Sequence, residues 1–151
     1  MNIKCVALGN SIMCDDGIGI KIVESIKDEL EKINVKVVIG EVDVEYTFNE
    51  IEENDFLIIV DSTYFGISPG DVTCMKLEGI KELKRHNAFS HDQNLIDMLR
   101  KNSIDIKGYF LGIEISKICF DDNLSDELNN KFGIIRTGIL ENIFSIIKKE
   151  G

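Results

Sequence analysis

Apolar residues along this chain fall into two rhythms. Four short runs, Ile3 to Leu8, Val35 to Ile39, Phe56 to Val60 and Tyr109 to Ile115, are rich in β-branched residues and read as strands, with a weaker candidate at Asp71 to Leu77. Between them the spacing changes to threes and fours. Ile18, Ile22, Ile26 and Leu30, joined by Val23 and Ile33, make one stripe on a helix from about Gly17 to Ile33. The same period predicts a helix over His91 to Lys101, burying Leu95, Met98 and Leu99, and a last one over Ser125 to Lys149, burying Leu128, Ile135, Ile139, Ile143 and Ile147. The run FLIIV is apolar at every position instead of at alternate ones, as expected of a sheet covered on both faces. Strands alternating with helices give an α/β fold: a three-layer αβα sandwich with a mainly parallel twisted sheet of about five strands and right-handed crossovers. In such a sheet, function gathers in the crevice outside the carboxyl ends of the strands.

Composition narrows the setting. The 151 residues hold one proline, no repeat and no linker-like stretch, which predicts one domain over residues 1–151. Apolar residues at 44% and charged residues at 29% are a globular balance. A net charge of -10 repels phosphate backbones and anionic lipid heads, so nucleic acid and membrane surfaces are excluded as partners. Lys81, Lys84 and Arg85 form only the short basic cluster of a solvated helix face. The opening apolar run is too short for a signal-peptide core or a membrane span, which predicts a cytoplasmic protein. Four scattered cysteines with no C-x-x-C pair argue against a zinc knuckle, a thioredoxin-like site or a disulfide scaffold. Reduced thiols are expected, with Cys5 and Cys119 buried as small hydrophobes and Cys14, beside two aspartates, standing apart.

The first strand runs into LGNSIMCDDGIGI, a glycine-bearing loop that opens the first long helix. It lacks both the G-x-G-x-x-G order and the G-K-[ST] ending of nucleotide loops. Its acids also oppose a phosphate, since carboxylates at a helix N-terminus occupy the donors an anion would seek. Asp15 or Asp16 can cap the helix, and one cap leaves the other acid facing the crevice. The third strand ends FLIIVDSTYFG, which puts Asp61 on the same rim. Two carboxylates on one rim repel each other, and a divalent cation relieves that repulsion. In NAFSHDQNLIDML, Ser90 and Gln93 have capping-box spacing, which makes Ser90 the N-cap and sets His91 in the first turn of the next helix. The positive helix end there favours a neutral imidazole, the form a metal ligand requires, although Asp92 works the other way. His86 reads as solvated surface. Asp16, Asp61 and His91 together make a mixed nitrogen and oxygen set suited to zinc, nickel, manganese or non-haem iron.

Four segments, LGNSIMCDDGIG, LIIVDSTYFGISPG, SHDQNL and FLGIEISKICFDDNLSDEL, follow one another across most of the chain. In these the sequence resembles the hydrogenase maturation endopeptidases, which trim a short C-terminal extension from the large subunit of nickel-iron hydrogenases after metal insertion. The resemblance implies that Asp16, Asp61 and His91 are the metal ligands and catalytic residues. It also implies that the metal is nickel carried by the large-subunit precursor, and that the enzyme is a monomer docking transiently on that partner. The chain departs from the family pattern after Gly40, where EVDVEYTFNEI replaces a G-T-x-G-type segment, and at ICFDD, where an aromatic-glycine stretch is expected.

No serine or cysteine has a nucleophile setting, since Ser62 lacks the G-x-S-x-G elbow and Cys14 has no adjacent histidine. The expected chemistry is water attack on the scissile peptide, with a carboxylate, Asp16 first, as general base. Two other readings use the same crevice: a non-catalytic metal-carrier or docking protein in hydrogenase assembly, and a flavodoxin-like ligand-binding domain.

Overall fold

The sheet forms around β3 (Phe56–Thr63), whose eight residues are all buried. The computed structural model describes residues 1–79 and 91–150, without the side chains of 91–93. Lys81, Lys84, Arg85, His86 and Ser90 lie outside the described residues. Flanking β3 are β1 (Ile3–Leu8) and β5 (Lys107–Glu114), with β2 (Val35–Glu41) beyond β1 and β4 (Val72–Lys76) beyond β5. The order is β2-β1-β3-β5-β4, parallel throughout except for β4, which runs antiparallel to β5.

Alternate residues of the central strands serve opposite faces. Cys5, Ala7, Ile58, Val60, Leu111 and Ile113 pack against the apolar stripes of α1 (Ile18–Lys32) and α4 (Asp126–Glu150). Val6, Leu8, Leu57, Ile59 and Phe110 pack on the other face with Leu95, Ile96 and Leu99 of α3 (His91–Lys101). Each fully buried leucine or isoleucine contributes about 1.5–3 kcal/mol, so the two clusters carry most of the folding free energy. The helical stripes differ from expectation by one position in two places. Ile96 is fully buried while Met98 is half-buried, and Ile146 lies deeper than Ile147.

The sequence analysis omitted α2 (Val44–Asn49), a short helix capped by Asp43, whose side chain accepts from the Tyr46 N–H at 3.0 Å. It passes over one edge of the sheet beside α3. At the amino edge, the Lys4 ammonium and the Asp55 carboxylate form a buried ion pair at 2.7 Å. Lys4 Nζ also donates to the Glu50 carbonyl at 2.7 Å, and Asp55 Oδ2 accepts from the Glu52 N–H at 2.7 Å. No helix among the described residues is long and apolar enough to cross a membrane.

Candidate active site

The carboxyl edge of the sheet holds the two acids singled out in the sequence. After β1 the chain turns at Gly9, with φ +139°, and enters a 3-10 turn over Cys14–Gly17 that carries Asp16. A Cβ on Gly9 would lie 2.3 Å from the Asp16 carbonyl oxygen and 3.7 Å from Asp61 Oδ1, so only glycine lets the loop fold over both acids. Gly19 plays the matching part for α1. A Cβ there would approach the Val60 carbonyl oxygen to 3.0 Å and the Asp61 Cα to 3.3 Å, so its absence seats the helix directly on the end of β3.

Asp16 is 2% exposed and Asp61 is fully buried. Asp16 Oδ2 accepts from the Asn10 N–H at 3.0 Å, and its Oδ1 accepts from the Ser62 hydroxyl at 2.5 Å. Asp61 lies inside β3, opposite Gly112, and its Oδ1 accepts from the Ser62 N–H at 2.7 Å. Ser62 therefore serves both acids, one through its hydroxyl and the other through its backbone. Buried carboxylates are costly unless hydrogen bonded, and these donors offset part of that cost.

Asp15 does something the sequence did not show. Neither aspartate caps α1, whose N-cap is Gly17 with no side-chain hydrogen bond. Asp15 is instead fully buried and reaches across to the loop between β5 and α4. It accepts from Ser116 N–H at 3.0 Å, Lys117 N–H at 2.8 Å, Ser125 N–H at 2.7 Å and the Ser125 hydroxyl at 2.8 Å. Backbone bonds from Cys14 N–H to the Asp121 carbonyl, 2.7 Å, and from Asp121 N–H to the Ile12 carbonyl, 3.0 Å, lay the two loops side by side.

That pairing also corrects the expectation for the cysteines. Cys14 and Cys119 are joined by a disulfide with Cα atoms 5.5 Å apart. They are 105 residues apart in sequence, and only the return of the β5–α4 loop brings them together. Cys5 is buried as expected, and burial pushes its thiol up to about 12, while Cys74 is exposed.

Glu114, at the end of β5, is a site-building residue that the sequence reasoning did not single out. Nearly fully buried, its Oε1 accepts from the Thr63 hydroxyl at 2.8 Å and from the Phe65 N–H at 3.0 Å, and its Oε2 from the Gly66 N–H at 2.9 Å. It fixes the loop that follows β3, just beyond Asp61. The available signal was an acid closing a fully apolar strand, the same signal that flagged Asp61.

His91 opens α3. This helix leads through residues 102–106 into the amino end of β5, so it runs against the parallel strands and its first residue lies toward the carboxyl edge. The imidazole is outside the described residues. Asp16 and Asp61 are thus brought together, and the third candidate is placed by its backbone alone. Among the described residues no group of three His, Cys, Asp or Glu side chains is placed to hold a metal ion. The donor set that is described, two buried carboxylates fixed by neutral donors at one crevice, suits a hard or borderline divalent cation.

Comparison with known proteins bears on the same architecture. Residues 20–135 match the family model HycI, hydrogenase maturation protease. No protein of the curated set matches the chain in sequence. Among solved structures, the hydrogenase maturating endopeptidase HybD from E. coli is 19% identical with a TM-score of 0.79, over 96% of this chain and 93% of that one. The [NiFe] hydrogenase maturation protease HybD from Thermococcus kodakarensis is 25% identical with a TM-score of 0.75, over 95% and 99%. The endopeptidase HycI from Escherichia coli is 28% identical with a TM-score of 0.67, over 91% and 88%. With the family model spanning most of the chain and these folds superposing along nearly all of it, this chain belongs to the hydrogenase maturation protease family.

Proposed function

We propose that this chain removes the C-terminal extension of a hydrogenase large-subunit precursor, and that it recognises nickel already seated in that substrate through Asp16, Asp61 and His91. The observation that carries the reading is the junction at Ser62, where two buried carboxylates, one from the loop after β1 and one from β3, converge on one residue at the carboxyl edge of the sheet. Two carboxylates gathered on one residue suit a cation, and a cation delivered by the substrate makes docking conditional on a loaded precursor. When present, the ion supplies positive charge beside the scissile peptide.

The chain's own residues do the rest. Ser62 holds Asp16 with its hydroxyl and orients Asp61 with its N–H. Asp16, the acid on the loop, is the candidate general base that takes a proton from the attacking water; Asp61, anchored in β3, positions the substrate-borne ion. His91 completes the set from the start of α3. The enzyme acts as a cytoplasmic monomer that docks on the precursor and departs after cleavage.

The test is incubation of the purified enzyme with nickel-loaded and nickel-free precursor, followed by intact-mass measurement. Loss of the C-terminal extension from the loaded form alone is the expected result. Equal cleavage of both forms overturns the nickel reading, and an unshortened precursor in both overturns the protease reading in favour of a carrier.

A further inference from the structure

Exposed apolar side chains are unremarkable when scattered and informative when gathered. Among the described residues, five of the eleven exposed large apolar side chains stand on three loops at the carboxyl edge of the sheet. Ile12 at 56% and Phe120 at 86% exposure sit on adjoining loops, because the Ile12 carbonyl accepts from the N–H of Asp121. Ile118, Tyr64 and Ile67 are also exposed, on the loops that follow β5 and β3. These three loops carry Asp16 and the clasps of Asp15 and Glu114.

The rim is held in place. The Asp15 carboxylate, the Cys14–Cys119 disulfide and the Glu114 carboxylate each fix the backbone beneath the exposed side chains. Apolar groups displayed on a fixed backbone bind with little loss of conformational freedom, which favours their use in docking. Charge around them has one dominant sign: Asp121, Asp122, Asp126 and Glu127 are exposed beside Phe120, with Lys117 and Lys131, the latter 3.5 Å from Glu127, as the opposing charges, and Asp71 follows the Tyr64 loop. Such a rim suits a partner surface that is apolar at its centre and basic at its margin.

We propose that Ile12, Ile118, Phe120, Tyr64 and Ile67 form the docking rim for the large-subunit precursor, engaging an apolar, basic face of that protein next to its cleavage segment. The proposal rests on the protease reading for the identity of its partner. Docking on the rim is a contact separate from recognition by Asp16 and Asp61, so affinity for the precursor and turnover respond to different substitutions.

The experiment measures binding and cleavage separately. Immobilised precursor is titrated with wild-type enzyme, F120D, I12D and I134D, where Ile134 is an exposed residue on α4 used as a control. Each is also assayed for cleavage by intact mass, and circular dichroism confirms that each variant is folded. F120D and I12D are expected to weaken binding and raise KM by at least about tenfold, with kcat within about twofold of wild type and I134D unchanged. Binding by wild type is expected to weaken as salt rises from low to high ionic strength. Wild-type affinity in both F120D and I12D, equal loss in I134D, or no binding of the precursor by wild type each overturns the docking rim. Binding that depends on Phe120 without any cleavage supports the rim and overturns the protease reading, so the two fail separately.

Discussion

The two ends of the sheet handle buried charge in opposite ways. At the amino edge Asp55 faces Lys4 at 2.7 Å, and each makes a further backbone hydrogen bond, so the charges are compensated within the fold. At the carboxyl edge Asp16 and Asp61 share Ser62, a neutral residue that supplies an O–H to one and an N–H to the other. The amino edge pairs an acid with a base, and the carboxyl edge gathers two acids on one hydroxyl-bearing residue. Substitutions at the two ends should therefore separate stability from turnover.

The largest contrast is expected at the acids themselves. Replacing Asp16 or Asp61 with alanine should lower cleavage of the loaded precursor by roughly 1000-fold, equivalent to about 4 kcal/mol of transition-state stabilisation, measured as kcat/KM. The melting temperature of D16N or D61N should fall by less than that of D55A, since the asparagine amide keeps one acceptor oxygen for the Ser62 donor. Replacing Asp55 with alanine leaves the Lys4 ammonium buried without its carboxylate and should cost about 3–5 kcal/mol in denaturant unfolding, with turnover at low temperature near wild type. If D16N lost as much stability as D55A, the contrast between the edges would collapse.

Smaller effects sharpen the same comparison. D15N keeps one acceptor oxygen but turns an amide toward backbone N–H groups, which should cost about 1–3 kcal/mol and slow cleavage by roughly tenfold. S62A removes the hydroxyl on Asp16 and should weaken binding of the nickel-loaded precursor by about 10- to 100-fold while leaving unfolding little changed. The smallest effect concerns cysteine labelling under native conditions. Alkylation should mark Cys74 alone before reduction, add Cys14 and Cys119 after it, and spare Cys5, whose buried thiol is pushed up to about 12. Mass spectrometry of the labelled chain checks each step.

Much of this molecule could be read in advance wherever the signal was local. The β1 run and the α3 run coincide with their elements, and the acid after FLIIV lies toward the carboxyl edge as expected, although β3 continues through Thr63 and Asp61 is buried within it. The expected nearness of Asp16 to Asp61 follows from the parallel pairing of β1 with β3. What escaped was long-range. The partners of Asp15 and Cys14 lie about a hundred residues away, and no periodicity reports which loop will return to them. Capping was the ordinary role for Asp15, and the fold uses it to join two loops. The short α2 escaped for a different reason, since six residues are too few to show a helical stripe and only the cap at Asp43 marks its start.

The clasp made by Asp15 carries a consequence for how the molecule comes into being. Its donors belong to residues 116, 117 and 125, so the loop bearing Asp16 gains those contacts only after a segment about a hundred residues further along has left the ribosome. A nascent chain that has already built β1, α1 and β3 still holds an unfinished active centre. Synthesis of the loop after β5 is then the event that completes the setting of Asp16.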